Sequence, residues 1–383
     1  MKKTIICICN KDAENPLKGG GTLLVHRLLI RLVKEGFNVI QISSKINGFP
    51  QKSDIDGVTI HRMGSVKTVL LKAPFFVSSL KKKHNVYLII DVHLLGIPFF
   101  TPLLFPKNNI LSLYFHMEQN VFIQELSGEW GKKGAILGLM LKFVESKLVP
   151  FLYKKKNVLK ITFSKPTYDE MIDFGYSENS TFWIQEGIEL EKYNLQPVKE
   201  KGKYFVFVGR LKKYKGSTEA IKSFHIFSKT NPDYKLFIVG DGPLKPFLEK
   251  TINEYSMNDK VILTGYISHE EKIELVRNAS AVLVTSSKEG WATPVTEGNA
   301  LGTVGVVSDS PGVKETVVHG KTGLIFQTGN FEDAAIKMNE LISDKEKMYT
   351  YQKNAYEESK KYDWKITEQK LLNLIEKWFD SKI

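Results

Sequence analysis

The chain is 383 residues long, 42 % hydrophobic and 25 % charged, with a formal net charge of +12. That length suits two domains of ordinary size, and the composition excludes collagen-like, disordered and disulfide-stapled chains. The charge is lopsided: residues 1–185 hold 25 Lys and Arg against 14 Asp and Glu, a field that favours an anionic surface or substrate.

The apolar run Thr4–Cys9 predicts a first buried strand. Its alternation puts Cys7 and Cys9 on one face as free thiols, which suits a reducing cytoplasm. The run is too short for a signal peptide, and Lys11 and Asp12 interrupt it. No stretch reaches the ~18 apolar residues that a spanning helix needs. Gly19–Gly21 predicts a turn, and Leu24, Leu28 and Leu32 recur at helical spacing before Gly36. Strands are expected at residues 37–42, 58–61, 87–91 and 111–115, with helical stretches at 66–83 and 132–156. The pattern restarts near residue 182. Strands at 204–208, 235–239, 261–263, 281–284, 304–307 and 324–326 alternate there with helices such as 217–228 and 244–255. Strands alternating with helices in both halves predict an α/β chain of two mostly parallel sheets. Ligands of such domains bind at the carboxyl ends of the strands, and a cleft between the halves is the natural place.

Two constellations could carry chemistry. A strand ends at Gly209, so Arg210 emerges at its carboxyl end, and Lys215 follows one short loop later, before a helix. Two cations beside a helix N-terminus suit a pyrophosphate. In Ser286–Ala300, Glu289 follows a strand within a Ser/Gly loop, and Pro294 suits a helix start that places Glu297 on the helix. One carboxylate in the loop and one on the helix can grip a polyhydroxyl ligand at two points. By themselves the two cations read equally well as surface charge, and the two glutamates read better as a solvated loop and a helix-dipole partner.

Order and spacing supply more. Gly19 and Gly20 precede a helix with Leu28, Leu32 and Gly36. Gly209-Arg210-Leu211, Lys215-Gly216, Val239-Gly240-Asp241-Gly242-Pro243 and Gly265-Tyr266-Ile267 follow. Glu289 and Glu297, with seven residues between them, precede Gly302, Ser310-Pro311-Gly312, Glu315, His319-Gly320-Lys321-Thr322-Gly323-Leu324 and Trp364. In this arrangement the chain resembles the retaining nucleotide-sugar glycosyltransferases of GT-B fold. These are the group 1 glycosyl transferases, family 4 of the glycosyltransferases.

The resemblance implies two Rossmann-like αβα domains facing each other across a cleft. Residues 1–185 would form the acceptor-side domain and 186–365 the donor domain, with a C-terminal helix, 366–383, crossing back to the first. It implies that Arg210 and Lys215 bind the donor diphosphate and stabilise the leaving group. Glu289 would bind hydroxyls of the transferred sugar, Gly290, Trp291, Ala292 and Thr293 would offer backbone amides, and Glu297 would hold the ribose. Gly19 and Gly20 would let backbone approach the phosphate, and Gly265, Tyr266 and Ile267 would lie near the base. His116, at the end of a strand, would face the donor, and His93 is the second histidine, for the acceptor side. Two departures stand out: Gln185-Glu186-Gly187-Ile188-Glu189 replaces an Asn-Gly-(Val/Ile)-Asp run, and Trp291 replaces a phenylalanine.

The implied activity is a retaining hexosyl transfer from a nucleoside diphosphate sugar, uridine before guanosine, to an acceptor hydroxyl. A cell-envelope glycan, glycolipid or lipid-linked oligosaccharide is the expected acceptor class. No cofactor or metal is expected, and no nucleic acid. Asp54-Ile55-Asp56-Gly57 reads as a turn rather than a metal-binding Asp-x-Asp, and Gly19–Gly21 lacks the nicotinamide fingerprint. The expected location is the cytoplasm, with peripheral contact on an anionic membrane suggested by the basic apolar stretches at residues 69–83 and 136–156. A sugar-nucleotide epimerase of the same architecture, a phosphate-using phosphorylase and a non-catalytic module for anionic surfaces are the rival readings.

Overall fold

A computed structural model of the chain describes residues 2–16, 19–66, 68–93, 100–117, 119–193 and 200–379. They form two compact units, Met1–Ile184 with Glu368–Ile383, and Gln185–Thr367.

The first unit is built on β1 (Lys3–Ile8), α1 (Gly20–Lys34), β2 (Asn38–Ser43), β3 (Lys52–Ile55), β4 (Val58–Arg62), α2 (Val69–Lys83) and β5 (Asn85–His93). There follow α3 (Thr101–Leu104), β6 (Asn109–Tyr114), α4 (Gln119–Phe143), α5 (Val149–Leu152), β7 (Val158–Thr162), α6 (Lys165–Asp173) and β8 (Thr181–Trp183). The strands form one sheet in the order β3-β4-β2-β1-β5-β6-β7-β8, parallel except for the β3–β4 hairpin. That hairpin contains Asp54 and Asp56. Asp54 accepts from Gly57 N–H at 3.1 Å and Asp56 sits at φ 54°, so the Asp-x-Asp run is a turn as expected. Ile6, Ile8, Ile40, Ile89 and Ile110 of the sheet share one core with Val69, Ala73 and Val77 of α2, Val149 of α5 and Met171 of α6. Cys7 and Cys9 are buried free thiols.

The expected helix at 132–156 is interrupted. Gly131 leaves helical geometry (φ 58°) within α4, and residues 144–148 form a π-turn before α5. Such a wide turn shifts the face that follows it.

The second unit contains β9 (Tyr204–Val208), α7 (Ser217–Ser228), β10 (Lys235–Val239), α8 (Lys245–Glu254), β11 (Val261–Gly265), α9 (His269–Asn278) and β12 (Ala281–Val284). Then come α10 (Thr293–Ala300), β13 (Gly305–Ser308), β14 (Gly323–Phe326), α11 (Phe331–Ser343), α12 (Lys345–Ser359) and α13 (Trp364–Trp378). Its sheet is wholly parallel, in the order β11-β10-β9-β12-β13-β14. Alternation along each strand feeds two cores. Phe205, Phe207, Leu283 and Val306 face α7, α8 and α11, whereas Val206, Val282 and Val307 face Val276 of α9 and Val295 of α10.

The two places where the chain passes between units are stitched together. Ile188 N–H donates to Tyr362 C=O and Trp364 N–H to Ile188 C=O, both at 2.8 Å. Thr367 Oγ1 donates to Gln185 C=O at 2.7 Å. From there α13 continues into the first unit, where Leu371 and Ile375 are fully buried and Trp378 meets Phe182 edge-on.

Candidate active site

In the second sheet the connections leave β9 and β12 in opposite directions, so the crevice of this doubly wound unit opens between those two strands. The residues that follow them are those singled out from the sequence. Arg210 is the second residue beyond β9, exposed, and donates from Nη2 to Tyr214 Oη at 3.0 Å. Lys215 closes the short turn before α7, its Nζ 5.4 Å from the centre of the Tyr214 ring. Glu289 lies in the loop after β12. Lys215 Nζ stands 2.6 Å from both of its carboxylate oxygens, and Ser286 Oγ adds a bond to Oε1 at 2.8 Å. Burial disfavours the Lys215 ammonium, but the Glu289 charge outweighs it and holds the pKa above the ordinary lysine value.

Gly216 makes that approach possible. It is the N-cap of α7 at φ 76°, and a Cβ there would lie 2.2 Å from Thr285 C=O. No side chain could occupy the position without separating the α7 N-terminus from the strand carrying the Glu289 loop. Ser217, the first residue of α7, does not cap the helix and buries its hydroxyl completely, with no hydrogen-bond partner among the described residues.

The Glu289 loop is clamped from behind. Ala292 N–H donates to Gly312 C=O at 2.9 Å and Thr293 N–H to Trp291 C=O at 3.0 Å. Gly312, at φ 78°, passes so close that a Cβ would fall 2.1 Å from Glu289 C=O. This corrects one expectation: the amide of Ala292 is bonded to Gly312 and that of Thr293 to the loop's own Trp291, whereas those of Gly290 and Trp291 have no partner among the described residues. Trp291 is buried, donates from Nε1 to Thr296 Oγ1, and meets Tyr362 at 5.5 Å.

Glu297 stands one turn into α10. It takes Tyr193 Oη at 2.6 Å on one oxygen and Lys272 Nζ at 2.8 Å on the other. Neither partner was found from the sequence, because Tyr193 precedes the unit's first strand and Lys272 lies on α9. Gly265 adopts φ 67° at the end of β11, where its C=O accepts from Gly240 N–H. Tyr266 is 60 % exposed beside it, and Ile267 packs into the core. Glu186 is buried and accepts from Thr293 Oγ1 at 2.9 Å.

The remaining expected residues belong to the first unit, whose own crevice lies between β1 and β5. Gly19 and Gly20 follow β1 at the start of α1. Gly19 has an ordinary φ of −122°, and a Cβ on it would meet nothing within 4 Å, so the unit itself makes no demand for glycine there. His116 follows β6 and is half-buried. His93 is different. Its ring is 3 % exposed, stacked on Tyr114 at 4.0 Å, with Nε2 2.8 Å from Ser112 Oγ and 3.7 Å from Asp91 Oδ1. Burial lowers its pKa against the opposing pull of Asp91. The expectation of an acceptor-side His93 is corrected here: a ring so enclosed is part of the core and offers no face to an acceptor. Asp91, fully buried, accepts from Thr101 Oγ1 and Tyr153 Oη at 2.5 Å each and anchors that network.

Residues 191–358 match the family model described as glycosyl transferases group 1. The second unit thus carries a domain that matches the group 1 glycosyl transferases. Among curated relatives it is 30 % identical over 173 residues to the capsular polysaccharide biosynthesis glycosyltransferase CapM of Staphylococcus aureus, covering 43 % of this chain. The chain thus spans less than half of that relative, 45 % of its length. Among solved structures, sucrose-phosphate synthase from Thermosynechococcus elongatus superposes with a TM-score of 0.81 at 19 % identity, over 99 % of this chain and 100 % of that one. HepE of Anabaena in complex with UDP-glucose gives 0.73 at 15 % identity, over 98 % and 99 %. The fold shared with such structures is GT-B: two α/β units, each on a mostly parallel sheet.

Proposed function

We propose that this group 1 enzyme transfers a hexose-type sugar, with retention, from a nucleoside diphosphate sugar to an acceptor hydroxyl. The reading is carried by the Lys215–Glu289 pair at the crevice of the second sheet. A cation for the diphosphate and a carboxylate for the sugar stand side by side there, next to the N-terminus of α7. As the bond to the anomeric carbon lengthens, negative charge gathers on the diphosphate, and Arg210, Lys215 and the helix end offset it. Glu289, held through both oxygens by Lys215, is a poor nucleophile, which favours front-face attack with the diphosphate taking the acceptor's proton. Glu297 holds the ribose, and Gly19, Gly20 and His116 are the first unit's candidates for contact with the donor. Side chains meet that charge, and the proposed transfer takes no cofactor or metal. Uridine is preferred as the base, in keeping with the nucleotide bound to HepE.

A cell-envelope glycan, glycolipid or lipid-linked acceptor fits the surface of the first unit. Leu71 and Phe75 of α2 are 71 % and 81 % exposed, and Ile136, Met140, Phe143 and Phe151 lie between 61 % and 69 %. Residues 64–117 contain one carboxylate, Asp91, and residues 131–165 contain one before Asp169, Glu145; both are buried. A lysine-rich, apolar exterior of this kind supports peripheral contact with an anionic bilayer on the cytoplasmic side.

Thermal-shift titration with uridine and guanosine diphosphates and their sugars tests the donor site. A ligand bound to the folded state at a hundredfold excess over Kd adds about 2.7 kcal/mol, and Arg210→Ala should abolish that gain. Inversion at the anomeric carbon, read by NMR of the product, would refute retention. Conversion of donor into a new sugar nucleotide without acceptor would favour the epimerase. For the membrane, co-sedimentation with phosphatidylglycerol vesicles should exceed that with phosphatidylcholine and fall with salt and in Phe75→Ser. Equal binding to both lipids would refute the electrostatic contact.

A further inference from the structure

Tyr214 lies in the short turn between β9 and α7, immediately before Lys215, and is 7 % exposed. Its backbone C=O accepts from Ser287 N–H at 2.9 Å, which ties this turn to the loop that carries Glu289. Its side chain touches both cations of the crevice. The hydroxyl accepts from Arg210 Nη2 at 3.0 Å, and Lys215 Nζ stands over the ring, 5.4 Å from its centre, within reach of a cation–π contact.

Arg210 depends on this neighbour for its direction. The backbone on either side of it is pinned: Gly209 N–H donates to Val239 C=O at 3.0 Å and Leu211 N–H to Asp241 C=O at 2.9 Å. The exposed guanidinium itself has one hydrogen-bond partner among the described residues, Tyr214. The two cations also repel each other, since the Arg210 charge pulls the Lys215 pKa down against the pull of Glu289. A phenol attracts both without cancelling the charge of either, as a carboxylate would. It takes one of the five N–H donors of the guanidinium and leaves the rest for a ligand.

We infer that Tyr214 is a positioning residue for the donor diphosphate: one neutral side chain aims Arg210 through its hydroxyl and Lys215 through its ring. The inference rests on the donor-site reading of these two cations.

The test is calorimetric titration with UDP and with GDP, pursued with whichever the wild type binds. Tyr214→Phe keeps the ring beneath Lys215 and removes only the acceptor of Arg210; it weakens the nucleoside diphosphate about three- to tenfold. In an Arg210→Ala background the same change costs less than about 1.5-fold, because the group it aims is gone, whereas a general loss of rigidity is felt equally in both backgrounds. Tyr214→Leu, which removes the ring face as well, adds a further loss of about two- to fivefold that survives in Arg210→Ala. Unchanged or tighter binding by Tyr214→Phe, or a loss of the same size with and without Arg210, overturns the inference. Binding by Tyr214→Leu no weaker than by Tyr214→Phe overturns the part that concerns Lys215. If neither UDP nor GDP binds the wild type, or Arg210→Ala leaves the affinity unchanged, the donor-site reading itself fails, and the inference with it.

Discussion

Lys215 holds both carboxylate oxygens of Glu289 at 2.6 Å, so two groups assigned to different parts of one donor satisfy each other. A diphosphate must compete with Glu289 for the ammonium. In Glu289→Gln the rival charge is gone, and a charge-assisted bond is worth about 1.5–3 kcal/mol, so free nucleoside diphosphate should bind roughly tenfold more tightly. Sugar transfer should fall by about a hundredfold or more, because the hydroxyl contacts are lost. Calorimetry and initial rates check both. Unchanged nucleotide affinity would mean that the pair does not compete with the ligand.

Glu297 is aimed by Tyr193 and Lys272. Tyr193→Phe removes one bond from the carboxylate without removing the ring. A rise in donor KM of about three- to tenfold at constant kcat is expected, since the lost contact acts on ground and transition states alike. The effect should vanish with a 2′,3′-dideoxyribose donor; if it persists, Tyr193 acts elsewhere.

Lys160 is fully buried on β7, where its ammonium donates to Tyr153 C=O, Val158 C=O and Ser180 Oγ. Burial lowers its pKa to about 8. Between pH ~8 and the unfolded value near 10.5 the unfolded chain holds more protons, so this group makes stability rise with pH there and fall as pH drops back towards 8. Lys160→Met should be the more stable protein at pH 7 by about 1–3 kcal/mol. That advantage should shrink by roughly 1 kcal/mol per pH unit above 8. Urea unfolding at a series of pH values reads the difference, and a constant offset would disprove the linkage.

Arg62 and Asp12 form a two-bond ion pair at 2.9 and 3.1 Å, with side chains 1 % and 0 % exposed. Ser43 Oγ also donates to Asp12, at 2.6 Å. Arg62→Met strands a buried carboxylate beneath the turn that leads from β1 towards Gly19. A loss of about 3–5 kcal/mol is expected, the cost of removing one partner of a buried pair. The double variant Arg62→Met with Asp12→Leu should recover much of it.

The parts of this fold that the sequence made readable are those written in period. The strands rich in Ile and Val and the helix ended by Gly36 lie within a few residues of their expected places, because local burial alone determines them. Strand order is not local, so the position of the crevice between β9 and β12 could not be read, although Arg210, Lys215 and Glu289 could. Their partners were invisible for the same reason: Ser286 and Tyr214 are ordinary loop residues until folding brings them to Glu289 and Arg210. His93 misled because a histidine at a strand end looks the same in sequence whether its ring enters a pocket or, as here, lies under Tyr114. The amides of Ala292 and Thr293 were assigned outward because nothing in the loop's own residues announces that Gly312 would turn beneath it.

The hydrogen bond from Thr367 Oγ1 to Gln185 C=O joins the last residue of the second unit to its first. A segment that enters and leaves at one point is an insertion whose ends need no spacer, the arrangement in which transplantation and circular permutation are best tolerated. Residues 185–367 can therefore be handled as a cassette. Evolution could exchange this unit without redesigning the other, and an engineer could graft it between relatives by cutting at this single seam.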